Sequence, residues 1–71
     1  MTNVPEDIRE AWKEVYVLFD THYLMDNTEE AWLEFWTKAK EIMVRHKEMK
    51  HIMDMLVAVA DMISDRMING G

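Results

Sequence analysis

Between Pro5 and the closing Gly70–Gly71 the chain has neither proline nor glycine. That interior carries no two-residue hairpin signal and is dense in Glu, Ala, Lys, Met and Leu, all good helix formers. An all-α chain follows. Seventy-one residues suffice for a single domain, 1–71, and a chain this short buries only about 60% of the surface that its unfolded form exposes. With no cysteine there are no disulfides and no thiolate zinc sites to add stability. Apolar packing must carry the fold. Hydrophobic residues at 49%, with three tryptophans and eight methionines, supply it and argue against disorder.

Periodicity divides the chain into helices at about 4–23, 28–46 and 50–67. The first is expected to start with Asn3, three residues before Glu6 as in a capping box, with Pro5 in the permissive first turn. Ile8, Trp12, Val15, Phe19 and His22 or Tyr23 recur on one face, widened by Ala11 and Leu18. The second opens on "NTEE", with Asn27 three residues before Glu30. Its expected buried face is Trp32, Phe35, Trp36, Ala39, Ile42 and Met43. Glu34–Lys38 and Glu41–Arg45 are i,i+4 pairs worth roughly 0.2–0.5 kcal/mol each. The third is the most apolar. Ile52, Leu56, Val59, Ile63 and Met67 form its stripe, Met53, Met55, Val57, Ala60 and Met62 spread around it, and Asp54, Asp61 and Asp65 leave a narrow polar strip. "INGG" ends it.

The second break is the least marked. "RHKEMKH" (45–51) is polar but has no breaker, and the apolar rhythm threads through it as Ala39, Met43, His46, Met49, Met53, Leu56. A continuous helix over 28–67 would be about 60 Å long and could bury its stripe only by dimerising. Helices of globular proteins run 8–20 residues, so a turn here and a three-helix bundle are the expected architecture. The alternative is a helical hairpin with a long second helix.

Chemistry is thin. His46 and His51 are five apart, off the i,i+3 or i,i+4 spacing that puts two metal ligands on one face. Only His51 and Asp54 have usable spacing, and two ligands do not make a site. His22, near the end of the first helix, reads as a cap or core-edge residue. Carboxylate pairs such as Glu10–Glu14 and Glu29–Glu30 suggest acid–base chemistry only inside a pocket that perturbs their pKa, and here they fall on expected wet faces. No catalytic, cofactor-binding or metal residue is assigned, and the chain reads as a non-enzyme.

The formal net charge of −6 repels nucleic-acid backbones and anionic lipid. The acidic first stretch lacks the order of a signal peptide, and the longest uncharged run, Met55–Ala60, is too short to cross a bilayer. A cytoplasmic protein that contacts other proteins is the expectation. Two surfaces could do so. Glu6, Asp7, Glu10, Glu14 and Asp20 form an acidic row that either only solubilises or presents carboxylates where a basic partner expects phosphates; Arg9 and Lys13 interrupt it. Met55, Val57, Ala58 and Met62 are apolar positions that three helices cannot all cover, fit for a partner or for a homo-oligomer.

"EAWKEVY" (10–16) and "EAWLEFW" (30–36) echo one another. In each, Trp and the residue three later share a face (Trp12–Val15, Trp32–Phe35). The expected caps stand seven residues before one copy and three before the other, so the echo reads as convergent packing rather than duplication.

Taken whole, "AWKEVYVLFD…NTEEAWLEFWTKAKEI" resembles the short acidic helical proteins encoded by phages and prophages of Firmicutes. Their pattern has a Trp- or Tyr-bearing first helix, an "EEAW" start to the second and a third of the "LVAVADMI" kind, which covers residues 8–65 here. Some of that broad class are anti-defence proteins, anti-CRISPRs among them, that inhibit a host nuclease by occupying its surface. The resemblance implies a host-protein partner, one with a basic nucleic-acid-binding surface, and action in the host cytoplasm. It brings no site residue with it.

Overall fold

A computed structural model describes residues 3–69 as three helices, α1 (Glu6–His22), α2 (Glu29–Arg45) and α3 (Ile52–Asn69), packed as an all-α bundle. The expected glycine end of the third helix, Gly70–Gly71, lies outside the described residues. α1 is the central element: it packs along both others, whereas α2 and α3 meet over a shorter stretch.

The helix starts differ from the sequence expectation. Pro5, not Asn3, occupies the cap of α1, with no side-chain cap hydrogen bond; its carbonyl accepts from Arg9 N at 3.1 Å. Glu6 and Asp7 in the first turn answer the helix dipole instead. At α2 the cap is Thr28, one residue later than expected. Its Oγ1 accepts from Ala31 N at 3.1 Å. Asn27 is diverted to the indole, where its Oδ1 accepts from Trp32 Nε1 at 2.9 Å. One polar residue caps the backbone, and its neighbour pins the first aromatic of the helix.

The break between α2 and α3 is real and excludes the long-helix hairpin. His46 leaves helical geometry at φ −118°, ψ 35°, while its N–H still bonds to Ile42 O. Met49 N then bonds to His46 O at 2.9 Å, and Met55 N to His51 O at 3.0 Å as α3 begins. No breaker residue causes this turn. Tertiary contacts do: Arg45 and His46 both reach across to Glu14 on α1, and Met49 packs against the core.

The core is Ala11, Val15 and Leu18 from α1, Phe35, Ala39 and Ile42 from α2, and Ile52, Leu56, Val59, Ala60 and Ile63 from α3. Ala11 and Ala39 are fully buried, and each lets a neighbouring helix come close. Phe35 is the hub. Its ring meets His22 at 5.6 Å, Trp32 at 5.6 Å and Trp36 at 5.0 Å, all edge to face, the favoured geometry for aromatic pairs. His22 closes the α1 end of this cluster, 7% exposed, and its Nδ1–H donates to Leu18 O at 2.9 Å. That bond gives the ring's donor a partner inside the core, where an unpaired one would be costly.

Several expected core positions lie elsewhere. Trp12 is 57% exposed, and Tyr23 and Trp36 are exposed as well. The reason is angular. With Ala11 at the centre of the α1 interface, the next residue turns about 100° away, onto the flank. The echoed heptads therefore pack differently: the first buries Ala11 and Val15 and exposes Trp12, and the second half-buries Trp32 over a fully buried Phe35. The echo is compositional.

Candidate functional site

Trp12, Tyr16, Phe19 and Tyr23 follow one another at intervals of four, three and four, so they form one row along the flank of α1 that faces α3. Trp12 and Tyr16 are 57% and 64% exposed, and Phe19 is half-buried against the core. Phe19 and Tyr23 meet edge to face at 5.2 Å. On the flank of α3 that faces this row stand Met55, Ala58 and Met62. Ala58 and Met62 are exposed; Met55, one of the positions that three helices were expected not all to cover, is half-buried and packs on the core. A groove of about 410 Å³ runs between the C-terminal ends of the two helices, lined by Phe19, Tyr23, Met62, Asp65, Arg66 and Asn69.

Arg66 floors this groove. Its Nη2 donates to Met25 O at 2.8 Å, and its guanidinium carbon sits 5.7 Å from the Tyr23 ring centroid. Its Nε is buried with no hydrogen-bond partner. The side chain thus ties the α1–α2 connection to α3, with one donor left unpaired, and its charge is directed inward. The remaining charged residues of α3, Asp54, Asp61 and Asp65, are all exposed.

Val57, the fourth apolar position expected on this surface, is exposed but lies on the opposite flank of α3, with Met53. The four residues are therefore not one patch. Val57 and Met53 share the flank of α3 that turns away from Met55 and Met62.

The acidic row is also divided. Glu6, Asp7, Glu10 and Asp20 are exposed, but Glu14 is not free to meet a partner. Its Oε1 accepts from Arg45 Nε at 2.7 Å and pairs with Arg45 Nη2, and its Oε2 pairs with His46 Nε2. Arg45 consequently does not close the expected pair with Glu41, and among the described residues Glu34 and Lys38 form no ion pair either. Burial alone would raise the Glu14 pKa. Hydrogen bonds from His46 and Arg45 and their positive charge outweigh it and hold the carboxyl below its ordinary value. A carboxyl with a lowered folded pKa stabilises the fold above its unfolded pKa and loses that contribution as pH falls through the folded one. Glu14→Gln is expected to lower stability by on the order of 1 kcal/mol at neutral pH. In urea titrations the gap to the unmodified chain should close as the pH drops below 4.5. A gap of constant size down to the acid limit would mean that the contact contributes nothing through its charge.

Two other grooves flank α1. One of about 490 Å³, between α1 and α2, is lined by Lys13, Val17, Thr21, Lys38 and Glu41 above a floor of Leu18 and Ile42. The other, about 580 Å³, lies under the 45–51 turn beside Asp7 and Ile8. Among the described residues no three of His, Cys, Asp and Glu are placed to hold a metal ion; His51 and Asp54 form an exposed pair at 3.4 Å. Among the described residues no helix is long and apolar enough to cross a membrane.

Sequence periodicity placed Trp12 and Phe19 in the core and overlooked Tyr16, Arg66 and the Glu14 contact. The aromatic row was legible as a spacing; which side of α1 it occupied depended on Ala11 taking the centre. No family model matches the chain, nor does any curated protein or solved structure.

Proposed function

We propose that this chain is a protein-binding module of a phage or mobile element, acting in the host cytoplasm to inhibit a host protein, a nucleic-acid-handling defence complex being the class of target. One observation carries this reading. Trp12, Tyr16, Tyr23 and Met62 stand exposed along adjoining helix flanks of a domain whose core is already closed by other residues. Exposed Trp and Tyr are the residue types that anchor protein interfaces, and contiguous apolar surface on a small domain marks an interaction site. The charge of −6 suits a target whose surface is basic. The resemblance to acidic phage proteins of Firmicutes supports the class of target.

The test is affinity capture from a lysate of a Firmicutes host, followed by assay of the captured protein's nucleic-acid cleavage with and without added chain. Recovery of one host protein at near-stoichiometric level, with its cleavage reduced, is the expected outcome. Capture without any loss of activity would remove the inhibitory role. A chain that captures nothing and sediments as a concentration-dependent oligomer would favour a self-associating accessory module instead.

A further inference from the structure

We infer that the α1–α3 groove seats one helix of the partner, amphipathic and cationic along one edge, with its Lys and Arg side chains lying over α3. This rests on the reading of the chain as a protein-binding module and adds the form and polarity of what it binds.

The shape comes from the two side-chain rows. α1 and α3 run parallel, because their C-terminal residues Tyr23 and Asn69 line the same groove. The aromatic row from Trp12 to Tyr23 is about 16 Å long at 1.5 Å per residue, or three helical turns. Met55, Ala58 and Met62 run beside it on α3. The groove opens between the C-terminal ends of these two rows, at Phe19 and Tyr23 on α1 and Met62 to Asn69 on α3, and two parallel ridges are what a third helix packs against. Methionine and aromatic lining is the adaptable kind that receives the apolar face of an amphipathic helix.

The polarity comes from charge. The solvent-side edge of α3 carries Asp54, Asp61 and Asp65 at intervals of seven and four, the spacing of one helical row. The one basic residue on α3, Arg66, is directed inward to Met25 O and Tyr23, so it does not offset them. The opposite edge, on α1, is mixed: Arg9, Lys13 and Asp20. A bound helix therefore meets attraction for cations on its α3 side alone, which fixes its rotation about its own axis. A second copy of this chain would bring another net −6 to the same groove, which opposes self-docking.

The test uses the full chain labelled at its methionine methyl groups. It is titrated with an 18-residue helical peptide of leucines on one face and lysines on the other, and with the same peptide carrying glutamate for lysine. The lysine peptide is expected to saturate, shifting Met55 and Met62 while Met53, on the opposite flank of α3, stays in place. The glutamate peptide is expected to shift nothing. The double variant Asp61→Lys, Asp65→Lys, confirmed helical by circular dichroism, should weaken the lysine peptide about tenfold or more. Glu6→Lys with Glu10→Lys, which changes net charge equally on the far flank, should weaken it no more than about threefold. Equal weakening by both double variants would reduce the interaction to general electrostatics and overturn the inference, as would shifts at Met53. Concentration-dependent movement of Met62 without peptide would make a second copy the occupant. If the peptide fails while host-protein capture persists, this inference falls and the binding-module reading stands.

Discussion

Phe35→Ala is expected to lower the stability of the bundle by about 3–5 kcal/mol, measured by urea unfolding. Phe35 has no exposed surface, and its ring is met edge to face by His22, Trp32 and Trp36. Truncation removes the buried area of the ring and leaves a cavity. The surrounding groups cannot collapse into it freely: His22 is held by Leu18 O and Trp32 by Asn27. Small domains have stabilities of about 5–15 kcal/mol, and one this short belongs at the lower end. The variant should be largely unfolded by 37 °C. A loss under 1 kcal/mol would mean that the aromatic cluster is not the centre of the fold.

The second large effect falls on binding. Trp12→Ala together with Tyr16→Ala is expected to change stability by roughly half a kcal/mol or less for each substitution, because exposed residues away from caps and networks contribute little. The same pair should weaken capture of the host partner by about 2 kcal/mol or more, roughly thirtyfold, the scale of truncating interface anchors. Paired urea and binding measurements on one preparation separate the two readings. Loss of stability without loss of binding would return these aromatics to a packing role.

α3 was legible because Ile52, Leu56, Val59 and Ile63 recur on one face, and all four are buried. On α2, Phe35, Ala39 and Ile42 were likewise placed correctly. Trp12 was misplaced because hydrophobicity alone ranks tryptophan inward, whereas close packing of α1 against two neighbours requires a small residue at the centre. Ala11 fills that position, and Trp12 rotates out. The caps were misplaced for a related reason: "NTEE" offers two side chains able to cap, and the demand of the Trp32 indole for an acceptor decides between Asn27 and Thr28. The turn at 45–51 has no local signature. It depends on Glu14, thirty-one residues before Arg45, and sequence periodicity does not register a contact that distant. The turn was expected from the ordinary length of helices alone; the contact that holds it, and the removal of Glu14 from the acidic surface by that same contact, could not be read without the tertiary arrangement.

Hydroxyl-radical footprinting of the chain, free and bound to the captured host protein, tests most directly whether the α1–α3 surface is the working one. Binding should protect Trp12, Tyr16 and Met62 from oxidation and leave Leu33, Val44 and Met53 as reactive as in the free chain. Protection of Leu33 and Val44 with Trp12 and Met62 still fully reactive would place the interface on α2 and contradict the assignment.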